Sequence, residues 1–287
     1  MKKNNSQVDF NEQLLPTTRK KQALEIISMH WKKLGLIGLL FAAFGIPLIM
    51  CHVSIPAVRE TIYQTLIQQG KTEEQIIGVL SFNTFISDCV AVLAYLLLSV
   101  AFAGSVRIIR NIVYNDGVLF KEDYIKGIKM YYKPFLITFG IYGLTRAILK
   151  GIDLLTINST DIKISILIGI VTAIFYVIIV PIMYIYLSYN VFYTDSFITK
   201  VVNCFKIYVS NILGLLMFIP WLLILYYLLP LIPQFAIRIV VELFILIIFC
   251  PLFVLLFHLF MVHIYDKTIN INQFPELYRK GLSKNNK

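Results

Sequence analysis

The chain has 287 residues, of which 58% are hydrophobic and only 15% charged, and its mean hydropathy is +0.77. Such values exclude an ordinary soluble domain and indicate a membrane protein. The net charge of +10 fits either nucleic-acid binding or retention of Lys and Arg on the cytoplasmic face of a membrane, and the placement of the charge decides between them.

Residues 1–19 are polar and are expected to form a disordered tail. No cleavable signal peptide is expected, because the first long apolar run begins only at Leu34. Residues 20–33 read as an interfacial helix, with Ala23, Ile26 and Ile27 on one side and Trp31, Lys32 and Lys33 as a membrane-interface anchor. A first span is predicted over 34–53. Gly35, Gly38, Ala42 and Gly45 would let another helix approach it closely, and Pro47 is expected to kink it.

Val58, Ile62, Leu66 and Ile67 then recur at helical spacing, which predicts an amphipathic helix on the outer surface, ended by Gly70. Thr72 with Gln75 forms a capping-box pattern, starting a helix that continues through a second span at 85–106. Asn115-Asp116-Gly117 marks a turn. Beyond it Phe120, Tyr124, Ile125, Ile128 and Tyr131 recur every three or four residues, with Lys121, Lys126, Lys129 and Lys133 largely elsewhere around the helix. This is a basic, aromatic-rich amphipathic helix, suited to anchoring on anionic headgroups or to docking a partner.

Further spans are expected at 135–149, 164–187, 212–229 and 239–264, each close to the ~20 residues needed to cross a bilayer, and residues 267–287 form a second tail. The fold class is therefore an all-α, polytopic integral membrane bundle of six spans, occupying residues 20–266. With both termini cytoplasmic, only Arg59, Lys71, Arg146, Lys150, Lys163 and Arg238 of the 26 Lys and Arg fall outside. That asymmetry accounts for the net charge without a nucleic-acid partner. An echo at a 73-residue offset pairs Tyr124-Ile125 with Phe197-Ile198 and Tyr132-Lys133 with Phe205-Lys206, which suggests a repeated interfacial-helix unit.

No motif for catalysis stands out. There is no His-Glu-x-x-His, no Gly-x-Ser-x-Gly and no phosphate-binding Walker loop. His258 and His263 are five apart and read as packed or interfacial residues. Cys51, Cys89, Cys204 and Cys250 lack metal-ligand spacing, and buried free thiols are favoured over a Cys51–Cys89 bridge. The expectation is a protein without enzymatic activity, metal or cofactor.

Ionisable residues within spans need a reason, at about 2.5–3.5 kcal/mol each on insertion scales. Asp88, Arg146 and Glu242 lie at similar depth from the outer face, and Arg238 precedes Glu242 by four residues. A shared polar cluster of Asp88, Arg146, Arg238 and Glu242 is expected; the competing reading has each reach water independently. Pro181, Pro220 and Pro251 break three spans, either lining a solute path or as tolerated kinks. Tyr176, Tyr184, Tyr186 and Tyr189 suit sugar stacking or belt anchoring.

The stretch after the second span reads Gly117-Val118-Leu119-Phe120-Lys121-Glu122-Asp123-Tyr124-Ile125-Lys126-Gly127-Ile128-Lys129, behind Arg107 and Arg110. With Trp31-Lys32-Lys33 and Gly45-Ile46-Pro47 around the first span, it resembles the YesL-like family of Gram-positive membrane proteins, over roughly residues 24–230. The chain departs from the family in carrying Gly35–Gly38 where an asparagine is usual. The resemblance implies a bacterial cell-membrane protein accessory to ABC-type carbohydrate uptake. Arg107, Arg110, Asp123, Tyr124, Lys126, Gly127 and Lys129 would then form a cytoplasmic docking surface for permease subunits. A small-solute transporter built on the outer polar cluster is the alternative, and an intramembrane enzyme a distant third.

Overall fold

The computed structural model describes residues 15–156, 162–218 and 234–283, with Leu229 and Ile232 besides. The described residues are mostly helical, with no strand among them. The elements are α1 (Arg19–Gln68), α2 (Glu73–Val113), α3 (Phe120–Thr156), α4 (Ile162–Ile174), α5 (Val180–Phe192), α6 (Phe197–Ser210), α7 (Ile212–Leu216), α8 (Phe235–Phe244), α9 (Cys250–Tyr265) and α10 (Ile271–Gln273). Three π-helical turns join some of them: π1 (Phe175–Ile179), π2 (Ile245–Phe249) and π3 (Asp266–Asn270). Among the described residues, five continuous helices are long and apolar enough to cross a membrane: Arg19–Gln68, Glu73–Val113, Phe120–Asp153, Lys163–Phe192 and Phe235–Gln273. Most of the expected fifth span, 212–229, lies outside the described residues.

The helices are longer than the spans read from hydropathy. α1 takes in the expected interfacial helix, the first span and the expected outer amphipathic helix as one element. Pro47 and Pro56 both lie inside it, and its one non-helical residue is His30 (φ −113°, ψ 16°). Each proline removes a single donor, whereas termination waits for Gly70, whose φ of +68° suits glycine. α2 starts as its capping box requires, with the Thr72 N–H donating to Gln75 Oε1 at 3.4 Å. α3 likewise runs through Pro134 without a break.

α2 packs along its length against α1 and against α3, and α5 and α9 close the bundle around buried Phe41, Ala101, Ile185 and Met261. The small residues of the first span act unequally. A Cβ on Gly38 would fall on the Ile247 carbonyl of π2, while one on Gly35 meets nothing within 4 Å. π1 and π2 each end with one residue between the turn and a proline, Pro181 and Pro251 respectively. The wider turn accommodates the missing proline donor, so the chain bends without ending the helix.

The start of α1, the end of α2 and the C-terminal segment meet at one end of the bundle, here the terminal end. Two expected boundaries meet here. Arg19 opens α1 and is buried. Residues 267–283 fold back onto the bundle, because buried Asp266, Asn270 and Ser283 find their partners there.

Candidate functional site

At the far end, opposite the termini, the bundle forms a partly open cavity of about 560 Å³. Helical periodicity delivers its lining. Tyr142, Arg146 and Lys150 follow one another at four-residue intervals on one face of α3, Asp88 and Tyr95 share a face of α2, and His52 and Arg59 share a face of α1. Tyr176 comes from π1, Tyr184 from α5 and Arg238 from α8.

Two ion-pair groups border this space. In the first, Arg146 Nη1 lies 3.6 Å from Asp88 Oδ1 and donates to the Tyr95 hydroxyl at 2.8 Å, while Lys150 Nζ lies 3.7 Å from the same Asp88 oxygen. Asp88 and Arg146 are only 3% and 4% exposed, so each depends on its partner. In the second, Arg238 Nε donates to Glu242 Oε1 at 3.3 Å, and His52 Nδ1 lies 3.5 Å from Glu242 Oε2. Asp88, Arg146 and Arg238 thus line one cavity, and Glu242 stands behind Arg238. Asp88 Oδ2 and Arg59 Nε are buried without a hydrogen-bond partner.

The sequence reading did not place Lys150, Arg59, His52 or Tyr95 at this site. The four-residue step from Arg146 to Lys150 was the available signal for the first, and the seven-residue step from Asp88 for Tyr95; His52 and Arg59 needed the packing of α1 against α2. Of the tyrosines proposed for stacking, Tyr176 and Tyr184 line the cavity. Tyr189 lies toward the terminal end, in hydrogen bonds with Asp195 and Asn203.

The second predicted group divides. Arg107 Nε donates to Asp123 Oδ1 at 3.4 Å, and Asp123 Oδ2 takes the Leu119 N–H at 2.9 Å, capping α3. A Cβ on Gly127 would lie 2.8 Å from the Ala103 and Gly104 carbonyl oxygens, and the Tyr124 ring covers Gly104. Arg110 sits over the Tyr114 ring at 5.8 Å. Arg107, Asp123, Tyr124 and Gly127 hold α2 against α3, while Arg110 packs at the end of α2 itself. Lys126 and Lys129 remain exposed.

A polar hub at the terminal end had no motif to announce it. Arg19 Nη2 donates to Asp266 Oδ2 at 2.8 Å, both residues being buried. Asp266 Oδ1 accepts from Asn270 Nδ2 and from the Arg279 N–H. Gln22 Nε2 donates to the Val113 carbonyl at 2.6 Å, and the Tyr193 hydroxyl donates to Asn270 Oδ1 at 2.6 Å. Lys280 lies over the Tyr114 ring at 4.9 Å, and burial raises the Tyr114 hydroxyl pKa well above the ordinary tyrosine range.

All four cysteines are free thiols, and among the described residues no group of three His, Cys, Asp or Glu is placed to hold a metal. Comparison with family models, with curated proteins and with solved structures returned no match.

Proposed function

We propose that the chain is a six-span protein of the bacterial cell membrane, termini cytoplasmic, whose far-end cavity opens outward and binds a small anionic solute as a permease. One observation carries this reading. Arg59, Arg146, Lys150 and Arg238 line a cavity whose only carboxylate among the described lining residues is Asp88, so the four cations outnumber Asp88 and the Glu242 carboxylate behind Arg238. Cations gathered around a partly dry space favour an anion there over one in water. The cavity volume and its tyrosines suit a ligand of a few rings or carbons. The separation of Lys and Arg supports the orientation, and a six-span count would follow from an even number of crossings between two cytoplasmic termini.

The test is thermal unfolding of the purified chain against a panel of acidic and neutral solutes. A ligand at one hundred times its Kd adds about 2.7 kcal/mol to stability. Stabilisation by acidic members alone, lost in Arg238→Gln and Lys150→Gln, is the expected result. An equal response to neutral solutes would overturn the reading. Cysteine-accessibility labelling at Arg59 and Lys126 checks the orientation, with only the former reached from outside.

A second reading, accessory partner of a carbohydrate import system, rests on the resemblance to the YesL-like family. It is favoured by exposed Lys121, Lys126, Lys129 and Lys133 beside exposed Ile125 and Met130 at the start of α3. Pull-down from native membranes should recover ABC permease subunits stoichiometrically, and Lys126→Glu with Lys129→Glu should abolish recovery. Anionic headgroups alone would be indicated if both variants merely weaken liposome binding.

A further inference from the structure

We infer that the ligand of the far-end cavity is a single-chain anionic amphiphile, with its acidic headgroup among Arg59, Lys150 and Arg238 and its hydrocarbon chain in a second cavity below. This rests on the anion-binding reading above and names the class of anion. The second cavity, about 200 Å³, is lined by Leu98, Phe102, Phe139, Met183 and Phe253 among others, with no charged residue in its described lining. Tyr95, Tyr142, Val180 and Tyr184 line both cavities, so the two spaces adjoin.

The two together form an elongated space that is polar at one end and apolar at the other. From Asp88 to Phe102 along α2 is about 21 Å, and from Lys150 to Thr138 along α3 about 18 Å, at 1.5 Å per residue. A small hydrophilic anion would fill only the upper part. The lower part, a partly open apolar pocket, would then receive no contacts from the ligand. A chain supplies those contacts and contributes through burial of each methylene.

The head region adds a second requirement. Asp88 Oδ2 is buried and unpartnered although Asp88 is 3% exposed. A headgroup hydroxyl or a singly protonated phosphate would satisfy it once the carboxylate turns toward the cavity. Tyr176 and Phe249, one from each long π-turn, sit against the upper and lower cavities respectively. The π-turns therefore border the space the ligand would occupy, where a widened helix turn leaves room.

The test uses the full chain in nanodiscs of a zwitterionic lipid. Decyl phosphate, inorganic phosphate and decyl maltoside are the probes, and binding is read by native mass spectrometry and thermal shift. Decyl phosphate should bind saturably and at least about a hundredfold more tightly than inorganic phosphate. Across hexyl, octyl and decyl phosphates, affinity should rise about threefold to fourfold per methylene. Met183→Trp, which fills the lower cavity, should flatten that dependence and leave inorganic phosphate binding unchanged. Arg238→Gln and Lys150→Gln should weaken both phosphates. Should Met183→Trp fail to fold, the length series on the unaltered chain decides.

Equal binding of inorganic and decyl phosphate, with no length dependence, overturns the amphiphile and leaves the small-anion reading standing. Equal binding of decyl maltoside and decyl phosphate overturns both. Lipid extraction distinguishes the source: a co-purifying monoacyl or isoprenoid phosphate marks a membrane lipid, and its absence alongside decyl phosphate binding marks an amphiphile taken from solution.

Discussion

Two buried ion pairs stand at opposite ends of this bundle and differ in how completely they are satisfied. At the terminal end, Asp266 accepts three hydrogen bonds, from Arg19, Asn270 and the Arg279 backbone, and the crevice beside Gln22 measures only about 50 Å³. At the far end, Asp88 has two cations within 4 Å, but its Oδ2 is unpartnered and the adjoining cavity is about 560 Å³. A buried carboxylate with every acceptor position engaged fixes chain segments to one another. One with an unpartnered acceptor beside a cavity holds them less completely.

The largest expected effect tests the terminal hub. Arg19→Gln should lower stability by about 3–5 kcal/mol, since Asp266 would stay buried without its cation. Thermal unfolding in detergent measures this, and a loss under about 1 kcal/mol would remove the hub's structural role. Asp88→Asn should destabilise less, by about 1–3 kcal/mol, because Arg146 keeps its bond to Tyr95. If Asp88→Asn proves as damaging as Arg19→Gln, the contrast between the ends fails. A double-mutant cycle of Asp88→Asn with Arg146→Gln sharpens it, with an expected coupling of about 0.5–3 kcal/mol.

The small-residue stripe offers an internal control. Gly38→Ala should cost about 1–3 kcal/mol or more through collision with the Ile247 carbonyl. Gly35→Ala, facing open space, should be neutral or stabilising by up to about 1 kcal/mol. Equal effects at both positions would mean that π2 does not press on α1. The smallest effect is expected at the start of α3. Lys126→Ala and Lys129→Ala should change stability by less than about 0.5 kcal/mol, while Gly127→Ala between them should cost about 1–3 kcal/mol.

What could be read from the chain alone was local. Apolar length predicted membrane-crossing helices, a capping pair located the start of α2, and Gly70 marked the end of α1. Residues costly to bury within a span pointed to Asp88, Arg146, Arg238 and Glu242, because charge in an apolar run is visible without coordinates. Periodicity could not say that Pro47 leaves α1 intact, nor which of Gly35 and Gly38 meets another helix. Both depend on what packs alongside. The Gly127 and Asp123 motif was visible as a pattern, but only the approach of α3 to α2 shows it engaged within the chain. Arg19 and Asp266 carried no signal in sequence, being 247 positions apart. Tertiary structure alone joins them, because a buried charge finds its partner by proximity in space, and hydropathy records only neighbours along the chain.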